Sequence, residues 1–308
     1  MTRRDDSSPI AEQQSAKGIR RRGRNLLRSP LVRLVLALFS LWVAFIARDV
    51  IANGLFSHAG ALTTAVVTIL VVHLAYVLNV RTVEQRPVHE LSWKRAPQEL
   101  ALGVVAGVAG IAVIVSVLWV PGYYQATGVN GVMALVVPTI AALATAYTEE
   151  IVIRGVLFRI VEQGLGTWIA LIISAVLFGL LHSGNDGATL IGLLSISVTA
   201  GLLLAGAYIL TRRLWLSIGI HFSVNWTQQA VFGLPVSGRE GEGLLQGVLG
   251  GPTLLTGGAF GIEASLIMLV LGSSAAAYIL HRAYRQGQFV HPFWSSGRGL
   301  EREGEPSR

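Results

Sequence analysis

The chain has 308 residues, 52% of them hydrophobic and only 13% charged, and its mean hydropathy is +0.59; soluble domains carry about 25% charged residues, so an ordinary soluble enzyme is excluded and a polytopic membrane protein is indicated. The formal charge of +7 lies in tails and short loops, which argues against nucleic acid as a partner. The absence of cysteine removes disulfides, thiolate metal sites and cysteine nucleophiles.

Residues 1–30 are polar, basic and poor in aromatics, and read as a disordered cytoplasmic tail followed by an uncleaved signal anchor. Eight stretches then approach the roughly 20 apolar residues that span a bilayer: 31–47, 58–80, 99–120, 131–153, 167–183, 187–211, 214–235 and 259–281. With the N-terminus inside, all but Arg48 and Arg239 of the 24 Lys and Arg fall on the inner side, which supports eight spans with both termini cytoplasmic. The expected fold is therefore an all-α polytopic membrane protein, with a transmembrane domain over 31–285, a candidate catalytic core at about 135–232, and a polar cytoplasmic tail over 286–308. The glycine-rich connection 236–258 falls outside, as a flexible flap or re-entrant segment. No repeat of the transporter kind is visible.

Within span four the run AYTEEIVIRGVLF sets Glu149, Glu150 and Arg154 among lipid-compatible neighbours. Each such charge costs about 2.5–3.5 kcal/mol at mid-bilayer, so they call for compensation or function. The other intramembrane candidates are His182 in span five and His221 with Asn225 in span seven. Glu150 and Arg154, Phe178 and His182, and His221 and Asn225 are each four apart and share a helix face. The expected inner turn is Gly164-Leu165-Gly166. Glu149 lies 16 residues before Leu165 and His182 lies 17 after it, so a hairpin sets them at nearly equal height. Together with His221 and Asn225, counted from Arg212-Arg213, they are expected to converge on a polar pocket in the inner half of the membrane.

The ordered set EExxxR, FxxxH and HxxxN, present as Glu149-Glu150-xxx-Arg154, Phe178-xxx-His182 and His221-xxx-Asn225, resembles the CAAX protease and bacteriocin-processing family of intramembrane endopeptidases. The resemblance covers about residues 135–232 and leaves the first three spans and the last without a motif. It implies that Glu149 activates water with a share for His182, that His221 and Asn225 stabilise the oxyanion or complete the pocket, and that Glu150, Arg154 and Phe178 support them. It implies a peptide or protein substrate in contact with membrane lipid, including prenylated peptides.

The residue chemistry agrees: hydrolysis without a serine or cysteine nucleophile needs an activated water, a base and oxyanion donors. Glu149, His182 and His221 could also hold a zinc ion with an open position, assisted by Asn225. The HExxH spacing is absent, no cofactor is required by the pattern, and the metal-independent glutamate mechanism is preferred. A structural ion pair is the plain alternative for Glu149, Glu150 and Arg154, an interhelical hydrogen bond for His182 and His221, helix glue for Asn225 and packing for Phe178. His73 reads as an interhelical hydrogen bond. His58, His281 and Glu263 lie at span ends where solvent satisfies them, Asp186 reads as an outer turn, and Ser195 and Ser197 lack a base, which disfavours a serine protease. The competing functions are a catalytically inactive scaffold or chaperone of the same family and, third, a transporter using Glu149 as a proton relay. The lack of organelle signals points to the plasma membrane.

Overall fold

The computed structural model describes residues 29–51 and 60–295; the expected disordered tail, up to residue 28, and His58 lie outside the described residues. Helices dominate. Apolar composition without polar interruption produces α1 (Pro30–Val50), α2 (Ala61–Thr82) and α3 (Ala96–Trp119). The fourth rod begins as α4 (Val136–Glu150), widens into a π segment (Ile151–Phe158) and ends as α5 (Arg159–Leu165). Gly166, at φ 80°, turns the chain into α6 (Thr167–Leu180). The sixth rod is α7 (Leu190–Ile196), a π segment (Ser197–Gly201) and α8 (Leu202–Thr211), and the seventh is α9 (Trp215–Trp226) with a π segment (Thr227–Val231). After a short α10 (Thr253–Thr256), α11 (Leu266–Arg285) closes the bundle.

All eight expected stretches are thus helical over most of their length. Among the described residues six segments are long and apolar enough to cross a membrane: Pro30–Val50, Ala61–Thr82, His89–Trp119, Val132–Leu165, Leu190–Thr211 and Leu266–Arg285. The exceptions carry functional candidates. α6 has 14 residues, about 21 Å of rise, and α9 has 12 residues, both short of a bilayer core of about 30 Å. Large apolar side chains such as Leu70, Leu102, Ile172 and Val270 remain exposed, as suits an integral membrane protein whose outer face meets lipid.

Two segments outside the rods pack against the bundle, and the first differs from expectation. The glycine-rich connection 236–258 is built rather than loose: it contains β2 (Leu245–Leu249), which pairs antiparallel with β1 (Tyr124–Val129) from the loop after α3, and Tyr124 packs edge-on against Phe232. This cap covers one end of the bundle. Residues 286–295, the start of the expected cytoplasmic tail, dock at the other end. The Thr167 N–H donates to the Val290 carbonyl at 3.0 Å, the Val290 N–H donates to Thr167 Oγ1 at 2.8 Å, and Trp168 packs on Phe289. The tail satisfies one of the amides that the start of α6 leaves without an intrahelical partner.

Two devices position α9. Gly103 of α3 and Gly219 of α9 let the backbones touch, since a Cβ on Gly103 would stand 2.8 Å from the Leu216 carbonyl oxygen, and one on Gly219 would stand 2.8 Å from that of Leu100. Small residues permit such close packing between membrane helices. Span three therefore has a packing role that its lack of catalytic motifs concealed. At the helix start, Leu214 N donates to Glu90 O at 2.9 Å and Trp215 Nε1 to Ser92 O at 3.0 Å, which ties α9 to the connector before α3.

Four arginines at the end near Gly166 pair with glutamates. Arg159 meets Glu84 at 2.5 Å and Glu90 at 3.4 Å, Arg86 meets both at 2.9 Å, and Arg212 meets Glu162 at 2.5 Å. Arg213 grips Glu99. Burial works against the charge of Glu84, but the Arg159 and Arg86 hydrogen bonds outweigh it and hold the carboxyl below its ordinary 4.5. We call this the arginine end and the opposite one the cap end.

Candidate functional site

A cavity of about 160 Å³ opens among the fourth to eighth rods and the cap. Glu149, Phe178, His182, His221 and Asn225, all expected from the sequence, line it. The structure therefore brings the three motifs together, while Glu150 and Arg154 sit behind the wall.

The adjacent carboxylates have opposite surroundings because successive helical residues point about 100° apart. Glu150 and Arg154 are both 0% exposed, and Arg154 Nη1 donates to Glu150 Oε1 at 2.7 Å. The π segment at 197–201 turns carbonyls toward the same guanidinium, whose Nη2 donates to Gly201 O at 3.1 Å and Ala200 O at 3.3 Å. Its carbon lies 4.5 Å from the centre of the Phe178 ring, a cation–π contact strengthened by burial. Phe178 also faces His182 at 5.1 Å and His221 at 6.0 Å, edge to face in both cases. Its position in the motif thus has a physical basis: one ring supports the arginine and both imidazoles.

His221 stands between the two carboxylates. Its Nδ1 is 3.0 Å from Glu150 Oε1, so the proton on Nδ1 donates to that carboxylate and Nε2 is left for the cavity. Nε2 lies 3.8 Å from Glu149 Oε2, too far for a direct hydrogen bond. Glu149 Oε2 is buried with no hydrogen-bond partner, although the side chain as a whole is 30% exposed. In α6, which ends at Leu180, His182 follows in a turn and its Nδ1 pairs with Phe178 O at 2.8 Å. This leaves Nε2 as the free position of the second imidazole.

The depth expectation requires correction. The cavity is not in the half nearest the Gly164–Gly166 turn; Ser237, Arg239 and Glu263 of the cap line it, so it lies toward the cap end. The reason is helix length. α6 stops early, His182 lies beyond its last turn, and the segment after Val231 folds back over the opening.

Glu263 also departs from its expected place at a solvent-satisfied span end. It is buried, precedes the spanning helix Leu266–Arg285, and its Oε2 accepts from Ser237 N at 2.5 Å and Ser237 Oγ at 2.9 Å. Burial pushes its carboxyl up, while the Ser237 hydrogen bonds and nearby His182 and His221 pull the other way. Ser195 Oγ donates to the Glu263 carbonyl at 2.6 Å, which accounts for that serine without catalysis. An acidic residue inside the apolar run GAFGIEASLIM was the available signal for Glu263. Nothing in the sequence marked Ser237 or Arg239 as cavity residues, since the fold-back that delivers them is tertiary. Elsewhere His73 pairs with the Tyr147 hydroxyl at 2.6 Å, the expected interhelical bond, and Asp186 occupies an exposed turn.

Glu149, His182 and His221 share the cavity, yet among the described residues no three His, Cys, Asp or Glu are grouped closely enough to hold a metal ion. The donors do not fit a zinc site as arranged, and no chemical step is routed through one.

Comparison with known proteins agrees with the geometry. Residues 130–227 match the family model described as Type II CAAX prenyl endopeptidase Rce1-like, in line with the resemblance carried by the three motifs. The match supports a protease at the level of the family and covers the rods that carry Glu149, His182, His221 and Asn225. No curated protein and no solved structure matches the chain.

Proposed function

We propose that the chain is an intramembrane endopeptidase that hydrolyses a peptide bond of a membrane-associated peptide with water activated by Glu149 and His182. The observation that carries this reading is the contrast within one dipeptide: Glu150 Oε1 is held by Arg154 and His221 behind the wall, whereas the Glu149 carboxylate accepts no hydrogen bond from the described residues and lines a cavity with two histidines and an asparagine. Glu149 and the free Nε2 of His182 accept hydrogen bonds from the attacking water and aim its lone pair; Glu149 takes the proton as the C–O bond forms. The resulting oxyanion accepts from the Asn225 amide and from the Nε2–H of His221 in its imidazolium form, which the carboxylates of Glu150 at Nδ1 and Glu149 beside Nε2 favour. Collapse breaks the C–N bond, and Glu149 returns the proton to the departing amine.

Glu150 acts through His221: by accepting from Nδ1 it fixes the ring orientation and favours the imidazolium, and Arg154 keeps that carboxylate charged in a dry environment. A prenylated peptide is a suitable substrate by family resemblance. The gathering of basic residues at the arginine end supports, by the positive-inside rule, cytoplasmic termini and an outward cap end; with the cavity toward the cap, this reading has substrate enter from the cap side and not from the inner leaflet or cytoplasmic face. Labelling of Glu242→Cys, introduced into this cysteine-free chain, by an impermeant maleimide in intact cells checks that orientation; protection until the membrane is opened would reverse it.

The decisive assay compares cleavage of a peptide by purified wild type, Glu149→Ala and His221→Ala, with loss expected in both variants. Equal cleavage by all three would remove the assigned roles. An inactive scaffold predicts the reverse in cells, with the phenotype retained by Glu149→Ala and His182→Ala and lost only on deletion.

A further inference from the structure

We infer that Arg239 is a substrate-recognition residue that binds a carboxylate carried by the peptide in the cavity, and that a strained hairpin of the cap exists to present it. The inference rests on the proteolytic site proposed above but not on its chemistry. Val236 N donates to Arg239 O and Arg239 N donates to Val236 O, each at 3.0 Å, so Val236 to Arg239 form a two-residue hairpin turn. Both central residues have positive φ, 48° at Ser237 and 81° at Gly238, the pattern of a type I′ turn. Glycine adopts it freely, whereas serine pays an energetic penalty there.

The surroundings offset that strain. The buried Glu263 carboxylate accepts from both the backbone and the hydroxyl of Ser237, and Gly238 N donates to Phe260 O at 2.9 Å. A strained turn held by a buried carboxylate at the wall of a cavity indicates positioning rather than a passive link. What it positions is Arg239, exposed yet lining the cavity. The remaining charged or titratable side chains of the lining are Glu149, Glu263, His182 and His221. Glu263 is committed to Ser237, and Glu149 is the proposed base. No ion pair of the Arg239 guanidinium is formed among the described residues, in contrast to Arg86, Arg159, Arg212 and Arg213 at the other end. A guanidinium at the mouth of a peptide cavity matches a carboxylate bidentately. The carboxylate has two sources, the C-terminus of the peptide or an acidic side chain.

Fluorescence anisotropy of three labelled S-farnesyl dodecapeptides separates these sources: one with a free C-terminus, its carboxamide, and the carboxamide with one aspartate among the last three residues. Titration uses full-length wild type, Arg239→Ala and Glu149→Gln in detergent micelles. The expected result is that wild type and Glu149→Gln prefer one carboxylate-bearing peptide over the plain carboxamide by about 10- to 100-fold, the size of a charge-assisted hydrogen bond, and that Arg239→Ala abolishes the preference. A preference for the free C-terminus identifies the terminal carboxylate, and one for the aspartyl carboxamide identifies a side chain. The inference is overturned if wild type binds all three peptides alike, or if Arg239→Ala keeps the preference. Gly238→Val, which strains the turn while leaving Arg239 in place, should weaken the preference as well. Peptides that bind with this selectivity but are not cleaved in a Glu149-dependent way would overturn the proteolytic reading alone.

Discussion

The arginine end and the cap end of the bundle are both rich in charge, yet they handle it in opposite ways. At the arginine end Arg86, Arg159, Arg212 and Arg213 each close on a glutamate, and the docked residues 286–295 complete the packing there. At the cap end Glu149 and Arg239 face a cavity without such a partner. Ion pairing in a membrane protein serves architecture when every charge is answered, and a charge left open beside a cavity is available for chemistry or binding. The two glutamates of span four show the same division across a single peptide bond.

The largest expected effect tests the open member of that pair. Glu149→Gln should lower the cleavage rate by about 100- to 10,000-fold, the usual contribution of a positioned base, with little change in thermal stability; a melting temperature that falls with activity would make Glu149 architectural. Next comes the closed member. Arg154→Met should destabilise the fold by about 3–5 kcal/mol because it leaves the Glu150 charge buried and unanswered, measured by unfolding in mixed micelles; a stability equal to wild type would mean that the Glu150–Arg154 pair holds nothing together.

A smaller effect belongs to the arginine end. The Glu84 carboxyl lies below its ordinary 4.5 in the folded chain, so its contribution to stability is complete above 4.5 and lost as pH falls through the lower folded value. The melting temperature of wild type should drop over that window, and Glu84→Gln should flatten the drop; superimposable pH profiles would dissociate Glu84 from the acid transition. The smallest effect concerns metal. Dialysis against a zinc chelator should leave cleavage within about twofold, because the three donors do not converge; loss of activity restored by zinc would show that Glu149, His182 and His221 rearrange around an ion.

Much of the fold was legible because its signals are local. Long apolar runs gave the rods, basic residues gave an asymmetry of ends, and the four-residue spacings put Glu150 with Arg154 and Phe178 with His182. The close helix contact at Gly103 and Gly219 was not, since glycine in a membrane span acquires meaning only from the partner that approaches it. Glu263 was visible as a charge in an apolar run and was misread as a solvated span end, because span boundaries read from hydropathy placed it at a membrane surface. The pocket depth failed for a related reason: residue counting assumes full-length straight spans, and α6 ends after 14 residues.

By itself the sequence determined that this is a helical membrane protein with a glutamate, two histidines and an asparagine available to one another, since hydrophobic length and helical periodicity are properties of adjacent residues. Only the tertiary structure decided toward which end the cavity lies, and that Ser237, Arg239 and Glu263 belong to its wall. Those outcomes depend on how one helix face meets another and on a connection folding back across the bundle, and contacts between residues distant in the chain leave no periodic trace in it.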